Sequence, residues 1–297
     1  FAFFLKLILL QYIEGEKMTI QILADSACDL PQSLADQYGI QIVPLTVHLD
    51  QTDYKDGQTI DPETIYNAMR SGKTTKTSQV SPQAFKDIFT TYAKSNTPLV
   101  YLAFSSQLSG TYQTAKLIEQ EVKEEFPDAP ISILDTKCAS IGYGLVVLQA
   151  AKCANSNASV EEILAEARFQ SEHMEHIFTV DDLEYLYRGG RVSKTSAFIG
   201  SLLKIKPLLH VEDGKLIPIE KIRGAKRVIS RMIEVMKERG EHLDQQWIGI
   251  SHGDDLDKAL QLRDKLEQEF GIKRENILIE MVGAVIGAHS GPGTLAL

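Results

Sequence analysis

Residues 98–126 read PLVYLAFSSQLSGTYQTAKLIEQEVKEEF, and their order decides the fold. The opening PLVYLAFS (98–105) is apolar on both alternating faces, as a strand buried between two helical layers must be. A hydroxyl-rich loop, SSQLSGT (105–111), follows. GTYQTAKLIEQEVKEEF (110–126) then shows the three- to four-residue apolar spacing of an amphipathic helix. A buried strand that feeds a helix through a short loop is one unit of a parallel sheet. Its loop lies at the carboxyl edge of that sheet, where open α/β sheets bind ligands.

The same unit recurs on either side. TIQILAD (19–25), IQIVPLTVHLD (40–50) and ISILD (131–135) read as strands. PQSLADQYG (31–39) reads as a helix with Pro31 in its first turn and Gly39 as its stop. DPETIYNAMRSG (61–72) is a helix capped by Asp61, with Pro62 at its first position and Gly72 as terminator. SPQAFKDIFTTYAKS (81–95) repeats that signature with Ser81 and Pro82, and SIGYGLVVLQAAKCA (140–154) is a further helix. Together they predict an N-terminal three-layer α/β/α domain with a mainly parallel sheet.

The second half has another character. SVEEILAEARFQSEHM (159–174) opens with a capping box of Ser159 and Glu162. KIKPLLHVEDGKLIPIEKIR (204–223) alternates apolar residues about Asp213-Gly214, a hairpin signal. Two amphipathic helices (224–240 and 254–270) and two strands, QWIGISHG and NILIEMV, complete it. Hairpin, helices and strands in this mixture predict a C-terminal α+β domain with a mixed sheet. The boundary falls between about 155 and 180; we expect an N-terminal domain of residues 18–168 and a C-terminal domain of residues 169–297, with any ligand between them.

The chain has 297 residues, a net charge of -9 and no dense Lys/Arg run, so nucleic acid is not an expected partner. Its three cysteines, Cys28, Cys138 and Cys153, form neither a CxxC pair nor a zinc-spaced cluster, which suits a reducing cytoplasm. The apolar FAFFLKLILLQYIEGEK (1–17) resembles a signal core, yet Lys6 interrupts it, no small-residue cleavage site follows, and it is too short to span a bilayer. Met18 reads as the natural start and residues 1–17 as an extension; the competing reading is a membrane-contacting leader.

SGKTTKTS (71–78) resembles a phosphate-binding loop at Gly72-Lys73-Thr74, but Asn67 stands where the leading glycine belongs. No sequence basis for ATP binding remains. QLSGT around Ser109 lacks the first glycine of a nucleophile elbow. What remains is rich in hydroxyls: Thr74, Thr75, Thr77, Ser78 and Ser81 in one run, Ser105, Ser106, Ser109 and Thr111 in the other. At helix N-termini such groups bind a carboxylate or phosphate without lysine; the plainer reading is caps and turns. In DSACDLP (25–31), Asp29 is expected to cap the helix at Pro31, and Asp25 to serve a turn. Arg188 and Arg191 flank a Gly-Gly turn and could fork onto an anion or merely neutralise a helix end. In SHGDD (251–255), Asp254 is the expected cap. HSGPG (289–293) sets His289 among glycines that permit close backbone approach, where imidazole could meet a bound carboxylate.

Five stretches, DSACDL (25–30), KTSQVSP (76–82), SSQLSGTYQTA (105–115), LYRGGR (186–191) and HSGPG (289–293), together resemble the DegV family. The resemblance runs from Met18 to Leu297; TSQVS stands where the family often has TSQPS, and residues 1–17 have no counterpart. It implies a two-domain bacterial protein, related in fold to a dihydroxyacetone-kinase domain, that binds a long-chain fatty acid in an apolar tunnel between the domains. Carried over residue by residue, the carboxylate partners are Thr77, Ser78, Ser109 and His289. The resemblance also implies a separate ATP-dependent fatty acid kinase as partner, with the protein presenting substrate for phospholipid metabolism rather than acting as an enzyme, and with no cofactor or metal. Arg191, with Arg188, becomes a candidate for phosphoryl transfer or kinase docking. A transient membrane-surface contact is compatible with this role. AFIGSLLKIKPLL (197–209) could supply tunnel walls. The runner-up is a serine-dependent lipid hydrolase or acyltransferase using Ser109 and His289; a third reading is a binding module for a phosphorylated small molecule.

Overall fold

The computed structural model describes residues 19–193 and 205–297. The expected extension 1–17, the start at Met18 and the 197–204 part of the expected tunnel wall lie outside the described residues. The architecture is two α/β domains, the first on a parallel sheet and the second on a mixed one.

Four parallel strands, β1 (Gln21–Asp25), β2 (Ile40–Val43), β6 (Leu99–Ala103) and β7 (Ile131–Asp135), run in the order β2-β1-β6-β7. Leu23 lies beside Gln41 on one side and Tyr101 on the other. Every residue of β6 is buried, as its unbroken apolar run requires. Helices α1 (Gln32–Tyr38), α5 (Ser140–Asn155) and α6 (Val160–His173) pack as one group, and α3 (Pro82–Lys94) with α4 (Thr111–Glu125) as another. Phe85 and Phe89 of α3 and Tyr101 of β6 join these layers, with ring centroids 5.2 and 5.4 Å apart.

The cap expectations hold at α2 (Pro62–Arg70), where the Asp61 carboxylate accepts from Thr64 N, at α3, where Ser81 accepts from Ala84 N, and at the Ser159–Glu162 box of α6. They fail at two aspartates. Asp29 does not cap α1; the helix starts behind Pro31 with no side-chain cap, and the Asp29 carboxylate accepts from Ser140 Oγ and from Gly283 N at 3.0 Å. The cap of α9 (Leu256–Phe270) is Asp255, while Asp254 pairs with Arg70 across the molecule. In each case a long-range partner outcompetes the local one.

Residues 40–50, expected as one strand, are two. Pro44 has no N–H for a ladder, so β2 ends at Val43, and β3 (Thr46–Leu49) turns into a separate antiparallel sheet, β4-β3-β5, with β4 (Thr52–Lys55) and β5 (Thr75–Ser78). The hydroxyl run around Thr77 is therefore partly strand: Thr77 pairs with Val47 and Ser78 with Thr46.

The second sheet has the order β10-β9-β8-β13-β11-β12. It comprises β8 (Ile177–Thr179), the hairpin β9 (Ile205–Glu212) and β10 (Lys215–Arg223), β11 (Ile248–His252), β12 (Ile277–Met281) and β13 (Leu295–Ala296). Only β11 and β12 pair in parallel; the remaining neighbours are antiparallel. Asp213 and Gly214 both take positive φ, 47° and 79°, as a two-residue hairpin turn of this hand demands. Val228 and Met232 of α8 (Ala225–Arg239) and Leu262 and Leu266 of α9 are buried against β11 and its neighbours.

Between α6 and β9 stands the short α7 (Glu184–Arg188), and before β13 comes α10 (Ala284–Ser290). Helix α10 follows β12 of the second sheet but sends Ala284, Val285 and Ala288 into the core of the first domain, against α2, β3 and β5. It bridges the two domains.

Candidate functional site

Two loops, one strand and one helix converge where α10 meets β5. Thr77 stands on the face of β5 turned to α10, and its Oγ1 lies 2.6 Å from Nε2 of His289, in the last turn of α10. Thr75, two residues earlier and so on the same face, donates to the Ala288 carbonyl at 3.3 Å. His289 Nδ1 sits beneath the backbone of Gly189: a Cβ at that position would stand 2.3 Å from it. Burial, with the nearby Arg191 charge as a lesser cause, lowers the His289 pKa to about 4, so the ring is neutral at physiological pH.

Ser109 lies at the start of α4, its Oγ 2.8 Å from Thr111 Oγ1 and accepting from Thr111 N at 3.2 Å. Arg191 donates through Nε to the Leu108 carbonyl at 3.0 Å and through Nη1 to Gly189 O at 2.6 Å. It thus ties the Gly-Gly turn to the loop that carries Ser109, and burial lowers its pKa. Thr77, Ser109, Arg191 and His289 all line one cavity of about 1270 Å³.

Two expected residues sit elsewhere. Ser78 borders the cavity, but strand alternation turns its side chain to the other face of β5, where Oγ lies 2.6 Å from His48 Nε2; His48 Nδ1 is in turn 2.6 Å from Asp53 Oδ1. Arg188 does not line the cavity; it is exposed, 4.0 Å from Glu184 Oε1 and stacked over Tyr185 at 5.1 Å. Nor are Ser109 and His289 hydrogen-bonded to each other: each has a threonine partner instead.

From this polar end the cavity continues along Val282, Val285 and Ile286 of the α10 region, then along Ile141, Leu145 and Leu148 of α5. Its lining also takes in Gln149, Lys152, Phe169, His173 and Trp247 and, among its polar residues, Glu172, Arg239 and Gln246. A small polar cluster with hydroxyl and imidazole donors and one arginine, at the end of a long apolar passage, can orient an anionic head while the passage takes an apolar tail. Among the described residues no group of three His, Cys, Asp or Glu is placed to hold a metal, and no helix is long and apolar enough to cross a membrane.

Sequence reasoning missed several residues of this region. His176 borders the cavity with its pKa lowered to about 4 by burial; Nδ1 donates to Met174 O and Nε2 accepts from Ala139 N, both at 3.2 Å. Asp56 is buried, accepts from Ser26 Oγ at 2.7 Å and from the first backbone N–H groups of α10, and has its pKa raised to about 6, burial being the main cause. A single histidine after a helix, or one aspartate in an Asp-Gly turn, carries no sequence signal that separates it from its neighbours.

The family model that matches, described as an uncharacterised protein of the DegV family, covers residues 19–297. A DegV domain-containing protein of Clostridium perfringens is 39% identical over 279 residues, 93% of this chain and 95% of that protein. A solved structure titled as fatty acid binding of a DegV family protein, from Thermus thermophilus, superposes with a TM-score of 0.85 at 33% identity, covering 94% of this chain and 98% of that one. A Thermotoga maritima structure whose title reports a fatty acid binding function gives 0.79 at 32% identity, covering 94% and 98%. Fold, motif order and full-length similarity agree, and the chain belongs to the DegV family.

Proposed function

We propose that this protein binds a long-chain fatty acid in the cavity between its domains, with the carboxylate at Thr77, Ser109 and His289. The observation that carries the reading is the continuity of an apolar passage with the Thr77, Ser109 and His289 cluster in one cavity, in a chain whose similar solved structures are titled as fatty-acid binders. Tail burial at about 0.8 kcal/mol per CH₂ supplies most of the affinity. The head group adds roughly 1.5–3 kcal/mol for each hydrogen bond to its charge and fixes orientation. Neutral His289 donates one N–H and carries no charge that would hold the carboxylate too tightly to pass on.

In this reading the protein is not itself an enzyme. It presents the carboxylate, in the cytoplasm, to a separate ATP-dependent fatty acid kinase, and Arg191 faces the incoming phosphoryl group or the kinase. The partners of Ser109 and His289 argue against a serine hydrolase, because among the described residues no base is hydrogen-bonded to the Ser109 hydroxyl. Native mass spectrometry of the purified protein, followed by organic extraction, is the test. A fatty acid at close to one per chain is expected. Lipid-free, well-folded protein whose melting temperature does not rise with added oleate or palmitate would overturn the proposal.

A further inference from the structure

The cavity has a second end, remote from the head group. Helix α10 runs from Gly283, held by Asp29 beside Ser140, to His289 at the polar end. At about 1.5 Å per residue that is roughly 9 Å. From Ser140 the wall passes to α5, whose cavity-lining residues Ile141, Leu145, Leu148 and Lys152 recur at helical spacing along one face. Ser140 to Lys152 adds roughly 18 Å at the same rise. The path is therefore on the order of 25 Å, longer than the roughly 15 Å one leaflet's acyl chains occupy in a bilayer's hydrocarbon core.

At the far end the wall changes character. The Lys152 ammonium lies 4.5 Å from the centroid of the Trp247 ring and 5.9 Å from that of Tyr38. Trp247 immediately precedes β11 and is 40% exposed, so it lies at the rim and not in the packed core. A cation over an indole is an attraction that holds both groups in place. Its polar face is a poor neighbour for a further methylene, since a chain pushing past would have to separate the pair or enter water.

We propose that the Lys152–Trp247 pair is the stop of an acyl-chain ruler, which sets the longest fatty acid the cavity takes. The inference rests on the fatty-acid reading of the same cavity. Below the limit each added methylene is buried, and affinity rises about fourfold per methylene. Beyond it the gain ceases.

The test is a competition series of saturated fatty acids, from medium to very long chains, on wild type, Trp247→Ala and Trp247→Phe, with circular dichroism as the check of fold. Wild type should show affinity rising with length to a limit. Trp247→Ala should move that limit to longer chains, and an acid two carbons beyond the wild-type limit should bind it about sixteenfold better than it binds wild type. Trp247→Phe keeps an aromatic face for Lys152 and should stay near the wild-type limit. A limit unchanged in Trp247→Ala overturns the ruler while leaving the fatty-acid reading intact, and so does Trp247→Phe moving as far as Trp247→Ala. Absence of binding at every length in wild type overturns both.

Discussion

Replacing Gly189 by alanine asks whether the contact between the Gly-Gly turn and the histidine is what orients the head-group site. Gly189 has φ -71° and ψ -11°, which alanine adopts without strain. The difficulty is space. The new methyl would lie 2.3 Å from His289 Nδ1, 3.2 Å from Cε1 and 3.3 Å from Cγ. Carbon and nitrogen at ordinary contact need about 3.5 Å, so the ring must recede by about 1 Å. Receding straight back would drive Nε2, on the opposite side of the ring, into Thr77 Oγ1, already 2.6 Å away, so the ring must swing aside and the Thr77–His289 hydrogen bond breaks. Its loss costs about 0.5–1.5 kcal/mol. The lower entropy of the unfolded alanine chain returns about 0.4–1 kcal/mol. Stability should therefore change by no more than about 1 kcal/mol, a melting shift of about 2–4 °C at most. The site should change much more. In nitrogen-detected NMR the His289 Nε2 resonance should move as Thr77 is lost. With a long-chain fatty acid labelled at its carboxyl carbon, the bound resonance should shift relative to wild type at equal occupancy. Unchanged His289 and carboxyl resonances in a folded Gly189→Ala protein would refute the reasoning.

Strand alternation separates two adjacent hydroxyls: Thr77→Val should alter the bound carboxyl resonance and Ser78→Ala should not, and equal effects would place both on one face of β5. The pH dependence of stability contains opposed contributions. His289 is depressed in the fold to about 4 from 6.5, so it costs stability as pH falls from 6.5 towards 4, by up to ~3 kcal/mol. Asp25 and Asp56, raised to about 6, act in the other direction: their contribution is full below about 4 and is lost as pH rises through 6. In urea unfolding, His289→Gln should therefore gain on wild type at pH about 5 relative to pH about 7.5, and an equal gap at both values would remove the burial argument. Phe85→Ala, which deletes a ring packed against Phe89 and Tyr101, should cost about 3–5 kcal/mol; a cost below about 1 kcal/mol would mean that this layer is not tightly packed.

What could be read in the sequence was what the chain decides locally. The apolar run of β6, the Asp61-Pro62 and Ser81-Pro82 helix starts and the Asp213-Gly214 hairpin each depend on a few adjacent residues, and each is present. Pro44 was legible too, since its missing N–H is a local fact, but its weight was lost inside a long apolar stretch. β5 was not legible: Thr-Lys-Thr-Ser has no apolar alternation, and β3, bearing Val47 and Leu49, holds it in place. Without that strand the opposite orientation of Thr77 and Ser78 could not be read. Asp29 and Asp254 look like caps from sequence because cap chemistry is local, yet Ser140, Gly283 and Arg70 claim them from far along the chain.

The HSGPG stretch shows how a site can be half legible. Its glycines suggested close approach to a ligand, but their positive φ values, 79° at Gly291 and 81° at Gly293, turn the chain out of α10 and into β13. The turn is closed by Thr294 Oγ1, which donates to the carbonyls of Ser290 and Gly291, and by Gly293 N donating to Gly253 O. β13 then pairs with β8 on one side and β11 on the other, at the middle of the second sheet. His289 is thus fixed from behind by the second domain's sheet and from in front by Thr77 of the first, 212 residues away in sequence. The Arg70–Asp254 and Asp29–Gly283 contacts cross between the same two domains, so a relative movement of the domains loads all of these contacts together.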